Sequence, residues 1–186
     1  MSIAIANLRH VFGLKGDVAN NIAFQDEQTI IYPSGSNCIL YNIETKIQKF
    51  ISSIDKSGGM TAMALTPNKR YIAVAEKGEK ATITIYDLQT LRKKKVLTTT
   101  EVQSQQYVSL AFSPDSKFLV SQGARPDWTL VYWSWEKTNK LPMASIRTST
   151  NVSNEVYQVG AIMLTINQTS NLVWSIKSEA IGRSVD

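Results

Sequence analysis

Cysteine is all but missing from this chain: Cys38 stands alone among 186 residues, so no intrachain disulfide framework can staple the fold. A lone thiol suits a reducing compartment, and the cytoplasm is the expected location. Histidine is as scarce. His10 has no cysteine pair or acidic cluster at ligand spacing, which argues against a metal site. A Ser-His-Asp hydrolase would have to recruit the same residue, and no Gly-x-Ser-x-Gly elbow exists to expose a serine. Glycines occur in Ser57-Gly-Gly59 and Lys77-Gly-Glu-Lys80, but neither has the Gly-x-x-x-x-Gly-Lys-Ser/Thr form that cradles phosphate, so both read as turns. No catalytic residue, cofactor or small-molecule substrate emerges, and the chain reads as a non-enzyme. Long apolar runs are lacking too. No stretch is long enough to span a bilayer, and Met1–His10 has no basic start of the signal-peptide kind.

What is present is repetition. Ala62-Met-Ala-Leu-Thr-Pro-Asn-Lys-Arg-Tyr-Ile-Ala-Val and Ser109-Leu-Ala-Phe-Ser-Pro-Asp-Ser-Lys-Phe-Leu-Val have the same form, and Pro67 and Pro114 lie 47 residues apart. In each, an alternating apolar run ends at a Ser/Thr-Pro-Asn/Asp turn and a second run follows, the pattern of a β-hairpin. Self-similarity at this period, with four short strands per unit, predicts an all-β chain of propeller blades.

The second unit reads as strands over Thr61–Leu65, Tyr71–Glu76, Ala81–Tyr86 and Lys95–Thr98. The third repeats this over Val108–Phe112, Phe118–Gln122, Thr129–Trp133 and Met143–Ile146. A plainer first unit uses Asn21–Phe24, Thr29–Tyr32, Cys38–Asn42 and Ile47–Ile51. Tyr41, Tyr86 and Tyr132, 45 and 46 residues apart, take the place of the Trp-Asp dipeptide of WD repeats, so the repeats are degenerate. His10–Leu14 reads as a spare strand able to complete a last blade. Val156–Val159 opens like a fourth unit, and then the pattern stops. The expected organisation is an incomplete WD40-type propeller over 1–159, about three blades and part of a fourth, and a divergent tail over 160–186. An open arc of this kind predicts self-association through its blade edges.

The net charge is +5, and part of the excess sits in the run Arg92, Lys93, Lys94 and Lys95. That run reads as a solvated loop between blades, or as a docking patch for an acidic surface. Trp128, Tyr132, Trp133 and Trp135 form an aromatic set whose alternation places Trp133 and Trp135 on one face and Tyr132 on the other. Core packing accounts for such a set. The other reading makes Trp128 and Trp135 surface anchors for a protein partner. Arg125 and Lys137 lie near these rings, but basic and aromatic residues do not interleave in a sustained stripe, which argues against nucleic acid.

Several blocks are more distinctive than generic repeat letters: His10-Val-Phe-Gly-Leu14, Asn20-Asn-Ile22, Ile31-Tyr-Pro-Ser-Gly35 and Tyr41-Asn-Ile43 near the N-terminus, and Val131-Tyr-Trp-Ser-Trp-Glu-Lys137; Arg92-Lys-Lys-Lys-Val-Leu97 fits the same template in order. Over about Val11 to Val159 the chain resembles the N-terminal part of a WD-repeat family of motile cilia, the cilia- and flagella-associated proteins. The resemblance implies a propeller followed by a coiled coil, acting in the cytoskeleton of the ciliary axoneme as an adaptor that seats inner dynein arms. Its implied partners are axonemal proteins, inner dynein arm components or tubulin, and it has no catalytic residues to carry over. Departure from the family after Val159 implies a truncated or alternatively spliced form. The rival readings are a nucleic-acid-associated scaffold of RNA processing, which the same charge and aromatics would serve, and a non-functional splice product.

Overall fold

The computed structural model describes residues 9–52, 57–137 and 142–147, and every regular element among them is a β-strand. The first sheet has the order β1 (Ala23–Phe24), β2 (Thr29–Ser34), β3 (Asn37–Asn42) and β4 (Gln48–Ser52). The second has β5 (Met60–Leu65), β6 (Tyr71–Glu76), β7 (Thr82–Asp87) and β8 (Arg92–Leu97). The third has β9 (Tyr107–Phe112), β10 (Leu119–Gly123), β11 (Thr129–Trp133) and β12 (Ala144–Arg147). Each is an antiparallel meander in chain order, which is the blade architecture expected from the repeats. Val156–Val159 and the boundary expected at residue 159 lie outside the described residues.

The repeated turns are alike atom for atom. Thr66 N–H donates to Tyr71 O at 2.9 Å and Ser113 N–H to Phe118 O at 3.0 Å, while Tyr71 and Phe118 return their own N–H groups to the Thr66 and Ser113 hydroxyls. The Asn68 and Asp115 side chains take the N–H of Arg70 and Lys117, each at 3.1 Å. Lys69 and Ser116, φ 60° and 63°, make the left-handed step. In the turns that follow β3 and β7, Asn42 accepts from the N–H of Glu44 and Thr45, and Asp87 from that of Gln89 and Thr90. These are short polar side chains closing local backbone turns.

Registers correct one part of the alignment. Ile72 faces Tyr86, Leu119 faces Trp133 and Ile30 faces Tyr41, so the third-blade residue in the Trp-Asp place is Trp133 followed by Ser134, not Tyr132. A one-residue shift moves a side chain to the other face of the sheet. Trp133 is fully buried with its indole N–H on Ser121 Oγ at 2.8 Å, whereas Tyr132 is half-buried and stacks on Phe118.

Two cores join the blades. Between the first and second, Val18, Ile31, Cys38, Leu40 and Ile51 pack on Met60, Met63, Ile72, Val74 and Tyr86. Between the second and third, Ala62, Ala73, Ala75 and Ile85 face Tyr107, Leu110, Trp133 and Trp135, so small residues make room for large rings. At the inner ends of the blades, Ala19 forms a parallel bridge with Ala62, donating to Thr61 O at 2.9 Å and accepting from Met63 N–H at 3.0 Å.

His10–Leu14 is not a strand. It crosses the face of the first sheet, where Gln48 holds both the N–H (2.7 Å) and the C=O (3.1 Å) of Val11, Ser34 Oγ donates to Phe12 O, and Lys15 N–H meets Pro33 O. Contacts to β2 and to β4 at once require a path across the strands, and no ladder can form along it.

Candidate protein-interaction surface

The basic run Arg92–Lys95 lies in β8, not in a loop. Lysine has little intrinsic preference for strands. Here the turn at Asp87–Leu91 and the pairing with β7 impose the conformation, and buried Leu97 pins the far end of the strand in the core. Burial pushes the Asp87 carboxyl up, but the N–H groups of Thr90 and Gln89 and the Arg70 guanidinium, 3.5 Å away, outweigh it and hold the group below the usual carboxylate range. Ile85 faces Lys95 while Tyr86 faces Lys93, so a bulge falls at Lys94. Arg92, Lys93 and Lys94 are exposed; Lys95 is half-buried and its ammonium donates to Lys137 O on the third blade. Four consecutive cationic residues thus occupy the outer strand of the middle blade.

Trp128 closes the turn between β10 and β11, half-buried, with φ 47° and its N–H on Ala124 O at 3.1 Å. Beside it the buried Asp127 carboxylate accepts from Gln103 N–H and Thr129 Oγ1, each at 2.8 Å. Trp135 is no surface anchor. It is 2% exposed, gives its indole N–H to Ser116 O at 2.8 Å, and meets the ring edges of Tyr71 and Phe112 with centroids 5.0 and 6.1 Å away. Its role is to lock the second and third blades together.

The proposed residues do not converge. The β5–β6 turn abuts its equivalent in the third blade, Asn68 N–H donating to Ser116 Oγ, and the β6–β7 turn meets the connection that enters the third blade, Gly78 N–H donating to Gln105 O. The Asp87–Leu91 turn that opens β8 lies at one end of the blades, and the Trp128 turn at the other. Among the described residues, no group of three His, Cys, Asp or Glu could hold a metal ion.

Sequence reasoning missed an apolar surface on the first blade. Phe12 is 89% exposed, with Ile22 at 53% and Phe24 at 56%, beside a groove lined by His10, Ile30, Tyr32 and Tyr41. Aligned on the repeated turns, Ile22 and Phe24 correspond to Met63 and Leu65 and to Leu110 and Phe112, residues that pack between blades. The signal was the apolar His10–Leu14 segment, which was read as a strand and is the rim of this groove.

No protein-family model matches the chain. Mouse cilia- and flagella-associated protein 57 is 50% identical to it over 162 residues, 86% of this chain and 13% of the mouse protein. The chain belongs to this family. Cilia- and flagella-associated protein 57 C of Tetrahymena thermophila is 30% identical over 162 residues, covering 82% of this chain and 12% of the relative. Mouse cilia- and flagella-associated protein 44 is 30% identical over 152 residues, covering 82% and 8%. The chain therefore spans about an eighth of the length of the family 57 proteins it matches.

Proposed function

We propose that this chain is a non-enzymatic interaction scaffold of the ciliary and flagellar axoneme, an adaptor that helps to dock inner dynein arms. The observation that carries the reading is the 50% identity to mouse cilia- and flagella-associated protein 57, which extends over most of the chain. The surface supports it: an exposed cationic strand and an apolar blade face are binding features, and neither assembles a nucleophile with a base. A nucleic-acid scaffold fits less well, because the Trp128 turn and the turn that opens the basic strand lie at opposite ends of the blades.

The test is tagged 1–186 expressed in motile ciliated cells, followed by detergent removal of the membrane and soluble matrix. Retention on the axoneme is expected. Complete extraction with the matrix overturns docking by these blades.

A further inference from the structure

We propose that the edge of β8 left unpaired among the described residues receives an acidic, extended polypeptide segment as an added fifth strand of the second blade. The inference rests on the reading of this chain as a binding scaffold and adds the mode and chemistry of one contact.

β8 is the last strand of its sheet, paired on one side by β7. An edge strand presents a row of backbone donors and acceptors that can template another chain. Of the outer strands of the three blades, β4 (sequence QKFIS) carries one cation and β12 (ASIR) one, whereas β8 (RKKKVL) carries four in succession. Arg92, Lys93 and Lys94 are exposed. These cations oppose pairing with a like strand, including β8 of another copy, and favour one whose carboxylates fall opposite them. The strand is held at both ends, Asp87 closing the turn before it and Leu97, 1% exposed, fixing its end in the core, with the bulge at Lys94 between them. Main-chain bonding to such an edge supplies affinity, and the cross-strand charges supply selection.

The probe is a fluorescent hexapeptide of alternating Glu and Thr, the length of β8, titrated into the full chain by anisotropy at low salt. A second peptide of the same sequence is N-methylated at alternate residues, which keeps the charge and removes main-chain donors from one edge. Both N-methylation registers are used, so that whichever edge faces β8 is blocked in one of them. The expected result is at least a tenfold loss of affinity in one register, with a similar loss for Lys93→Glu/Lys94→Glu and a decline with added salt. Slowed amide exchange in β8 on binding would accompany it. No binding, or equal binding of the parent and both methylated peptides, overturns the inference. The peptide arm requires no protein variant, so misfolding cannot imitate a loss. Axonemal retention with no peptide binding would remove the strand-addition mode and leave the adaptor reading standing.

Discussion

Cys38 lies at the interface of the first two blades with no exposed surface, and burial pushes its thiol from 9.0 up to about 12. Tyr86 beside it is pushed to about 12 by burial and by the Glu76 carboxylate. Both groups stay neutral in the fold at pH values where the unfolded chain ionises them. Their contribution is therefore complete below about pH 9 and is lost as pH rises toward about 12, with each group steepening the fall by up to about 1.4 kcal/mol per pH unit. Unfolding in denaturant at stepped pH should show that decline above pH 9, and the thiol should resist a maleimide at neutral pH until the chain is unfolded. Rapid stoichiometric labelling of the folded chain would contradict this account. Trp135 shows where single residues were illegible. Alternation set it on the face of Trp133, which is buried too, but left core and surface readings both open; its burial depends on the Ser116 carbonyl and the ring of Tyr71 from elements remote in sequence.

At the scale of elements, the hairpins were legible because their turns are local chemistry. Thr66-Pro67-Asn68 and Ser113-Pro114-Asp115 specify hydroxyl and carboxamide or carboxylate contacts within five residues. β6 was read to the residue and β11 likewise. β8 was not, since three lysines in a row argue against a strand until β7 supplies its partner. The left-handed residues were also hidden, because Lys46, Lys69 and Leu91 are not residues that favour positive φ. That strain can be relieved. Lys69 is exposed with φ 60°, so Lys69→Gly should raise stability by about 0.5–1 kcal/mol, the left-handed cost exceeding the entropy that glycine adds to the unfolded chain. A loss of stability in urea unfolding would show that the lysine side chain contributes more than its backbone costs.

For the whole molecule, the three blades of the described residues leave the first blade with Phe12, Ile22 and Phe24 exposed, apolar surface of the kind that associates. Sedimentation velocity should show a concentration-dependent shift to larger species, and Phe12→Glu with Phe24→Glu should restore a monomer. A wild-type chain that stays monomeric across the concentration range would end the expectation. The bridge between Ala19 and Ala62 bears on how this molecule assembles. Each blade can form from neighbours a few residues apart, the kind of closure that takes microseconds. The hub cannot, since Ala19 must meet a strand of the next blade and the Asn20 carboxamide reaches Leu110 O across 90 residues. Doubling a loop adds only about 0.6 kcal/mol of closure entropy, so this late step costs little in stability while it sets the order of events. The expected order is blades first, with residues 19 and 20 then drawing the three together like a thread pulled through finished cloth.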